Sequence, residues 1–316
     1  MPVSIFKLTF TTGLHIGMDS SGKSLDNGRL GIHSDTLFSA LCLEALKAGC
    51  MNEFYKAADA NGLVLSDALP FDGNTYYFPR PVLYNETWIN AANPSVRKAI
   101  KAFSYIPSTE YKAYFDYLSG KGEAPKWAMG NFGVLDSQMR VAIERDGAST
   151  PYNLAYWRFR EGCGLYLLVQ WQEEADLKMI SALLHALGLS GIGGKSSSGL
   201  GKFDVEKKAV PEDMAAVLMN ETADYQILLG VGLPEDNLLE EALNDGWYSL
   251  IRRGGFIRSD TYSVQPVKKQ AIYMLAPGSC LRRRFEGSIK DVAPDKGEKA
   301  HPVWRNGKTL FAGVSL

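Results

Sequence analysis

The chain has 316 residues, of which 46% are hydrophobic and 22% are charged, and its formal net charge is −1. These values indicate a globular chain of about two domains that can bury a sizeable core. No apolar run reaches the ~18 residues of a membrane span and the N-terminus lacks a signal-peptide layout, so we expect a cytoplasmic protein without a membrane partner. The four cysteines and four histidines show no disulfide or metal-ligand spacing, so we expect no metal site and no cofactor.

The N-terminal part alternates between strand and helix patterns. Residues 3–12 alternate apolar and polar side chains, as a strand does. After a polar loop, residues 33–49 have helical spacing, with Ser34 as the expected N-cap and Gly49 as the stop. Residues 75–84 predict a short strand that its prolines place at a sheet edge or a bend.

A long insertion is expected at about residues 85–160. Residues 138–145 and 153–160 predict the two arms of a hairpin or ribbon. Residues 102–132 are rich in aromatic side chains, which either stack on nucleic-acid bases or form a small local core. We favour the local core for at least half of them. These aromatic residues are Tyr105, Tyr111, Tyr114, Phe115, Trp127 and Phe132.

Three further elements complete the first half of the chain. Residues 164–171 predict a buried strand, the next helix is expected to end near Gly188, and residues 202–208 alternate like a strand. Without the insertion the order is β-α-β-β-α-β, which is the ferredoxin-like unit. The RNA-recognition module shares this frame, and its sheet can face nucleic acid.

The second half predicts another, less regular set of elements. Residues 225–233 predict a strand, residues 234–244 a helix and residues 248–257 a strand. Two hairpins are expected further on, one turning at Pro277-Gly278 and the other at Asn306-Gly307. These elements indicate a second, degraded α+β unit.

Charge is unevenly distributed in this second half. Residues 211–249 hold nine acidic residues and no Lys or Arg, whereas residues 250–290 hold nine basic and two acidic residues. The switch suggests a surface that repels nucleic acid beside one that attracts it, and a solvated face is the alternative for either run. Arg253 is favoured as a phosphate contact because Gly254 and Gly255 would admit a close partner. The candidate arginines are Arg252, Arg253, Arg258, Arg282, Arg283 and Arg284.

A glycine-rich stretch, GIGGKSSSGLGKF, spans residues 191–203 and contains the GKS that ends a P-loop. The spacing argues against a P-loop, because its first glycine would fall at Leu189 and because a helix precedes the stretch while a strand follows it. A flexible Gly/Ser linker is a second alternative. Exposed N–H groups, hydroxyls and lysines favour a grip on the sugar-phosphate backbone of RNA. The expected contacts are Gly191, Gly193, Gly194, Lys195, Ser196, Ser197, Ser198, Gly199, Gly201 and Lys202.

Six short stretches carry a family resemblance through their order and spacing. They are LHIG (14–17), HSDTLF (33–38), YFP (77–79), the glycine-rich stretch (191–203), RGGF (253–256) and GS (278–279). Together they resemble the RAMP superfamily of CRISPR proteins, and more closely the family that provides the fourth subunit of type III-A (Csm) effector complexes. One departure is Ser196, since an arginine often follows the lysine in this family, and its absence removes one possible phosphate contact.

The resemblance implies an α+β fold with two ferredoxin-like domains, residues 1–210 with the hairpin-bearing insertion and residues 211–316. It implies a non-catalytic, RNA-binding subunit that holds the repeat-derived 5′ tag of the guide RNA in antiviral defence. Its other implied partners are the large multidomain signalling subunit on one side, a backbone RAMP subunit on the other and, indirectly, the target RNA. The alternative within the superfamily is an endoribonuclease that processes precursor guide RNA.

The remaining polar candidates each have more than one interpretation. His15, beside the glycine-rich loop after the first strand, is expected to contact RNA, with a general base or a packed side chain as alternatives. His33 and Asp35 flank a helix start and are interpreted as capping or anchoring residues. Asp19 and Asp26 lie in the loop after the first strand, and the backbone subunits of such complexes cut target RNA with an aspartate in a comparable loop. No acid–base pair is visible, so we expect no catalytic residue.

Overall fold

A computed structural model describes residues 1–18, 25–83, 103–118, 123, 130–143, 149–258, 262, 267–295 and 300–315. The strands are β1 (Val3–Phe10), β2 (Leu63–Leu65), β3 (Leu69–Asp72), β4 (Thr75–Pro79), β5 (Tyr105–Pro107), β6 (Gly133–Ile143), β7 (Ser149–Phe159), β8 (Cys163–Trp171), β9 (Phe203–Lys208), β10 (Tyr225–Leu228), β11 (Leu250–Arg253), β12 (Ile272–Leu275), β13 (Cys280–Leu281), β14 (Ile289–Asp291), β15 (Trp304–Asn306) and β16 (Phe311–Val314). The α-helices are α1 (Ser34–Ala48), α2 (Met51–Asp59), α3 (Tyr111–Leu118), α4 (Glu174–Ser190), α5 (Glu212–Met219) and α6 (Leu239–Leu243).

The N-terminal half forms one antiparallel sheet. Its strand order is β5-β4-β3-β8-β1-β9, with β2 also paired to β8. Helix α1 lies between β1 and β2 in the chain, and α4 lies between β8 and β9. With β2 and β3 taken together as the second strand, the spatial order is fourth-first-third-second, as in the ferredoxin-like unit. The predicted β-α-β-β-α-β order, with an insertion before its third strand, is confirmed. The assignment of its second strand to residues 75–84 is wrong, because that strand is β2 with β3, and β4 lies between β3 and β5 and not at the sheet edge.

Both faces of this sheet are covered by the protein itself. Because strand side chains alternate between faces, Phe6 and Leu167 pack against α1 and α4 on one face. Ile5 and Leu168 point to the other face, where α3, α5, β10 and β16 pack. The analogy with RNA-recognition modules is therefore wrong in one respect, since β1 and β8 offer nucleic acid no exposed sheet face.

The C-terminal half repeats this strand order. β10 pairs with β16 on one side and with β13 on the other, and β11 pairs with β12. Since β12 and β13 are consecutive parts of one segment, residues 272–281, the order is again fourth-first-third-second. In the described part of residues 282–310, β14 pairs with β15 where a ferredoxin-like unit has its second helix. The expectation of an α+β fold with a second, degraded unit is confirmed.

The two predicted C-terminal hairpins are wrong. β12 and β13 flank Pro277-Gly278 but pair with different strands, and β16 pairs with β10 and not with β15. Gly278 (φ 84°) turns the chain against the first half, where its carbonyl accepts the Val82 N–H at 2.7 Å. The Gly307 carbonyl likewise accepts the Leu233 N–H at 2.8 Å. Contacts with residues distant in the sequence therefore select these pairings.

Helix α1 begins one residue earlier than the predicted N-cap implies. His33 occupies the N-cap position without a side-chain capping bond, so Ser34 is the first helical residue and not the cap. The Ser34 N–H donates to Asp67 Oδ1 at 2.8 Å, which replaces a local cap by a contact from the segment between β2 and β3. Gly49 ends the helix in the left-handed conformation (φ 72°), as predicted.

Several other boundaries differ from the predictions. Helix α4 continues past Gly188 to Ser190. Gly188 is therefore not a helix stop but a position inside the helix where a side chain would collide with Phe203 of β9. The helix expected over residues 234–244 is a 3₁₀ turn followed by the short α6. The strands expected over residues 225–233 and 248–257 shorten to β10 and β11, and no element was predicted for α2, β2, β3 or α5.

The insertion contains the predicted hairpin. Its arms, β6 and β7, are longer than expected at 11 residues each. The local-core interpretation holds for most of the aromatic residues, since four of them are buried and Tyr105 is half-buried, whereas Trp127 lies outside the described residues. The buried ones are Tyr111, Tyr114, Phe115 and Phe132.

Candidate nucleic-acid interface

The glycine-rich loop connects the end of α4 to β9. No helix follows it, so the helix-loop-strand order that argues against a P-loop is confirmed. Two backbone hydrogen bonds hold the loop against the segment that follows β1: Gly194 N–H donates to the His15 carbonyl at 2.8 Å, and Gly201 N–H donates to the Gly13 carbonyl at 2.8 Å. A third joins the two ends of the loop, with Ile192 N–H donating to the Gly201 carbonyl at 2.9 Å. The loop is therefore a fixed element and not a flexible linker.

Most of the loop's glycines are required by the chain's own packing. A Cβ on Gly201 would overlap the Ile192 carbonyl oxygen, and one on Gly193 would overlap the His15 carbonyl oxygen. Gly191 and Gly194 are similarly crowded, by Leu200 and by the His15 ring. Only at Gly199 among the loop glycines is nothing within 4 Å. Packing of the chain against itself therefore explains the other four glycines, and a left-handed φ of 87° explains Gly199.

The loop presents polar groups on its outer side. Residues 196–198 form one 3₁₀ turn, with Ser197 and Ser198 exposed, and Lys202 is exposed at the start of the next strand. Lys195 adopts a left-handed conformation (φ 61°), and its Nζ lies 4.9 Å from the centroid of the Tyr152 ring on the hairpin. Within the described residues, the N–H groups of Lys195, Ser196 and Ser197 have no acceptor. These groups together can bind an anion.

His15 joins the loop to the hairpin. Its side chain is only 3% exposed, and its Nδ1 lies 2.6 Å from the Ala155 carbonyl oxygen. The neighbouring Leu14 exchanges backbone hydrogen bonds with Trp157 at 2.8 Å each. His15 is therefore a packed residue behind the loop, and its burial argues against the expected RNA contact.

Arg253 does not lie at the surface, in contrast to the sequence-based expectation. It is buried, and its guanidinium forms two hydrogen bonds to Asp35, at 3.0 and 2.9 Å. Arg305 also binds the Asp35 carboxylate and donates to the Gly254 carbonyl at 2.9 Å. The close partner beside Gly254 is therefore the chain's own Arg305, whereas Arg252 is exposed.

Asp35 is the centre of this buried cluster. Burial alone would raise the pKa of its carboxyl, but the charges of Arg253 and Arg305 outweigh burial and lower the pKa to about 2. Asp35 therefore stays ionised and joins the start of α1 to the C-terminal half, which agrees with its predicted anchoring role.

The predicted separation into an acidic and a basic face is not found for three of the nine basic residues. The two runs meet and neutralise each other through three ion pairs, Arg283 with Glu241 (2.6 Å), Arg284 with Glu221 (3.5 Å) and Lys290 with Asp236 (3.0 Å). Arg282 lies 4.1 Å from the centroid of the Tyr225 ring. Arg258 is exposed, as Arg252 is. Because folding brings residues of the two runs together, the runs do not form separate acidic and basic surfaces.

Asp67 is a functional candidate that the sequence did not reveal. It lies between β2 and β3, and its Oδ2 is 2.6 Å from Nδ1 of His33. Its Oδ1 accepts the N–H groups of Ser34 and Val231, at 2.8 and 3.1 Å. The sequence feature that could have indicated Asp67 is a polar Ser-Asp pair inside an otherwise apolar run. His33 is therefore an anchoring residue, as expected, but with a partner from outside its own motif.

Few other described side chains are suited to catalysis or metal binding. Asp26 is exposed, and Asp19 lies outside the described residues. Among the described residues no cluster of His, Cys, Asp and Glu could hold a metal ion. Within the same residues, none of the helices is long and apolar enough to span a bilayer.

Comparison with known proteins agrees with this architecture. A family model of the CRISPR Csm4 C-terminal domain matches residues 221–314. The chain is 31% identical over 291 residues to Csm4 of Mycobacterium tuberculosis H37Rv, which covers 92% of both chains. It is also 31% identical over 314 residues to Csm4 of Streptococcus thermophilus, which covers 98% of both.

Solved structures share the fold. A chain of the Csm3–Csm4 subcomplex of a type III-A CRISPR-Cas interference complex aligns over 100% of both chains, with a TM-score of 0.66 and 20% identity. A chain of a Csm1–Csm4 cassette in complex with pppApA aligns over 100% of this chain and 99% of that one, with a TM-score of 0.62 and 18% identity. Two ferredoxin-like units with a glycine-rich loop after the last helix of the first unit define a RAMP protein. The chain belongs to the Csm4 family of type III-A CRISPR systems.

Proposed function

We propose that the protein is a non-catalytic subunit that holds the 5′ repeat-derived tag of a guide RNA on the outer side of its glycine-rich loop. The observation that carries this proposal is the glycine-rich loop, which backbone hydrogen bonds hold in place. It combines unpaired N–H groups, exposed serine hydroxyls and Lys195 in a left-handed conformation. That conformation costs a non-glycine residue about 1–2 kcal/mol, and such strain often marks a functional position. The arrangement suits phosphate and ribose oxygens, which position a strand without reading its sequence.

The same proposal includes assembly with other subunits. Relatives of this fold are found in a Csm3–Csm4 subcomplex and in a Csm1–Csm4 cassette. We infer that this chain likewise docks a large signalling subunit on one side and a backbone subunit on the other. The target RNA would then be met through the assembled complex.

Replacing Lys195 by alanine tests the loop. We expect affinity for RNA that carries the 5′ tag to fall about fivefold, with a salt slope reduced by about one, because one phosphate contact is lost. Fluorescence anisotropy at several salt concentrations measures both quantities. Lys178→Ala removes the same charge from an exposed position on α4 and serves as the control. Equal losses for the two variants would contradict the proposal, and ATP or GTP binding that needs Lys195 would restore the P-loop.

The purified protein should not cleave RNA. The packed His15 is already bound to a carbonyl, and no other acid–base pair accompanies the loop in the described part of the chain. Labelled precursor guide RNA and target RNA should stay intact with and without divalent metal, as followed by denaturing gel electrophoresis. Cleavage that His15→Ala abolishes would instead support the endoribonuclease alternative.

A further inference from the structure

The hairpin and the glycine-rich loop meet through one strand of the hairpin, β7. At the base of the hairpin, Leu14 exchanges backbone hydrogen bonds with Trp157 of β7 at 2.8 Å each. Nearer the tip, the ring of Tyr152 lies beside the side chain of Lys195, which belongs to the outer side of the loop. The second contact therefore joins the hairpin to the side of the loop that carries the polar groups.

The contact between Lys195 and Tyr152 has the geometry of a cation–π interaction. Lys195 Nζ lies 4.9 Å from the centroid of the Tyr152 ring, and both side chains are half-buried. An ammonium group within about 6 Å of an aromatic ring face is attracted by the ring quadrupole. No carboxylate pairs with Lys195 in the part of the chain that the structure describes. The ring therefore restrains the ammonium group without neutralising its charge.

The backbone of Lys195 is held as well. Its carbonyl accepts the N–H groups of Ser198 and Leu200, at 2.9 and 3.4 Å, and its φ is 61°. Because the backbone is fixed, the direction in which the side chain leaves the loop is fixed, and the remaining freedom is that of its rotatable bonds. A lysine side chain loses much of this freedom when it binds a ligand, so a side chain that is already restrained loses less.

The ring contact leaves the ammonium group able to bind a phosphate. A lysine ammonium has three N–H donors and no acceptor. The ring of Tyr152 faces one side of this group and offers it no oxygen acceptor, so the N–H donors remain available to phosphate oxygens on the other sides. The two contacts of Lys195 are therefore compatible.

We propose that Tyr152 is a positioning residue, whose ring holds the Lys195 ammonium ready for a phosphate and thereby couples the hairpin to the loop's grip on RNA. This inference rests on the proposed function. Tyr152 acts through Lys195 and not through a contact of its own with RNA. Its effect on affinity therefore exists only while Lys195 is present.

A double-mutant cycle on the purified full chain tests this dependence. Fluorescence anisotropy measures the affinity for RNA that carries the 5′ tag. Tyr152→Leu should weaken binding about threefold, because the ring is lost, whereas Tyr152→Phe keeps the ring and should retain the wild-type affinity. In a Lys195→Ala background, Tyr152→Leu should cause no further loss, since residues that act through each other are not additive.

Tyr273→Leu is the matched control, because it removes an exposed tyrosine ring from another strand, β12, and should leave the affinity unchanged. Thermal melts establish that each variant is folded. Tyr152→Thr, which also suits a strand, takes the place of Tyr152→Leu if the leucine variant does not fold.

Three results would overturn the inference: unchanged affinity of folded Tyr152→Leu, an equal loss for Tyr152→Phe, or a loss that persists in the Lys195→Ala background. The last of these would assign Tyr152 a direct contact with the RNA. In all three cases, weaker binding by Lys195→Ala alone would still support the proposed function. If Lys195→Ala bound the tagged RNA as tightly as the wild type, both the proposed function and this inference would be wrong.

Discussion

Replacing Gly201 by alanine should lower the free energy of unfolding by about 3 kcal/mol or more. The residue has φ 73°, a conformation that costs other residues about 1–2 kcal/mol. The new Cβ would also overlap the backbone carbonyl oxygen of Ile192, a residue that is held in the loop because its N–H donates to the Gly201 carbonyl. Overpacking of this kind typically costs about 1–3 kcal/mol more. Urea denaturation followed by circular dichroism measures the change.

Gly199→Ala is the matched control for this prediction. Gly199 lies in the same loop with a similar φ of 87°, but nothing lies within 4 Å of the position that its Cβ would occupy. Its cost should therefore be limited to the conformational part, about 1–2 kcal/mol. If the two variants were equally stable, the loop would not be packed as described and its glycines would need another explanation.

Replacing Asp35 by asparagine should destabilise the protein by about 3–5 kcal/mol, because it removes the carboxylate that two buried guanidinium groups share. Asparagine has nearly the same shape, so the loss measures charge and hydrogen bonding more than packing. Asp26→Asn removes an exposed carboxylate and should change the stability little. A loss below about 1 kcal/mol for Asp35→Asn would show that the cluster does not hold the halves together.

The same residue predicts a pH dependence. The folded-state pKa of Asp35, about 2, lies below its ordinary value of 3.8, so its contribution to stability is present above about pH 4 and is lost as the pH falls towards 2. The wild type should lose on the order of 2 kcal/mol in that interval through this group. The Asp35→Asn variant should lack this component. Identical acid sensitivity of the two proteins would contradict the assigned ion pairs.

The sequence was sufficient where structure depends on local patterns. The apolar run of β8, the helical spacing of α1 with its terminal Gly49, and the helix-loop-strand order around residues 191–201 are all local signals, and all are found. The strand order of the first sheet then follows from the order of its elements, because the ferredoxin-like unit has only one arrangement of them.

Long-range pairing was not predictable from these patterns. Arg253 and Asp35 are separated by 218 residues, and nothing in the composition around Arg253 distinguishes a buried partner of a carboxylate from an exposed partner of a phosphate. The acidic and basic runs failed as predictors for the same reason, since Arg283 and Glu241 become neighbours only after folding.

The glycine-rich loop shows a related ambiguity. A glycine that lets a ligand approach and a glycine that lets the chain's own backbone approach look identical in sequence. The location of the loop was predictable, whereas the function of Gly193 or Gly201 required knowledge of the atoms beside it.

The doubly covered first sheet has a consequence for synthesis. The apolar face that contains Ile5 and Leu168 is covered in part by residues that the ribosome adds later, in α5, β10 and β16. At about 5–20 residues per second, roughly ten seconds separate completion of β9 from completion of β16. During that interval the part of this apolar face that α5, β10 and β16 cover in the folded protein is exposed on the nascent chain.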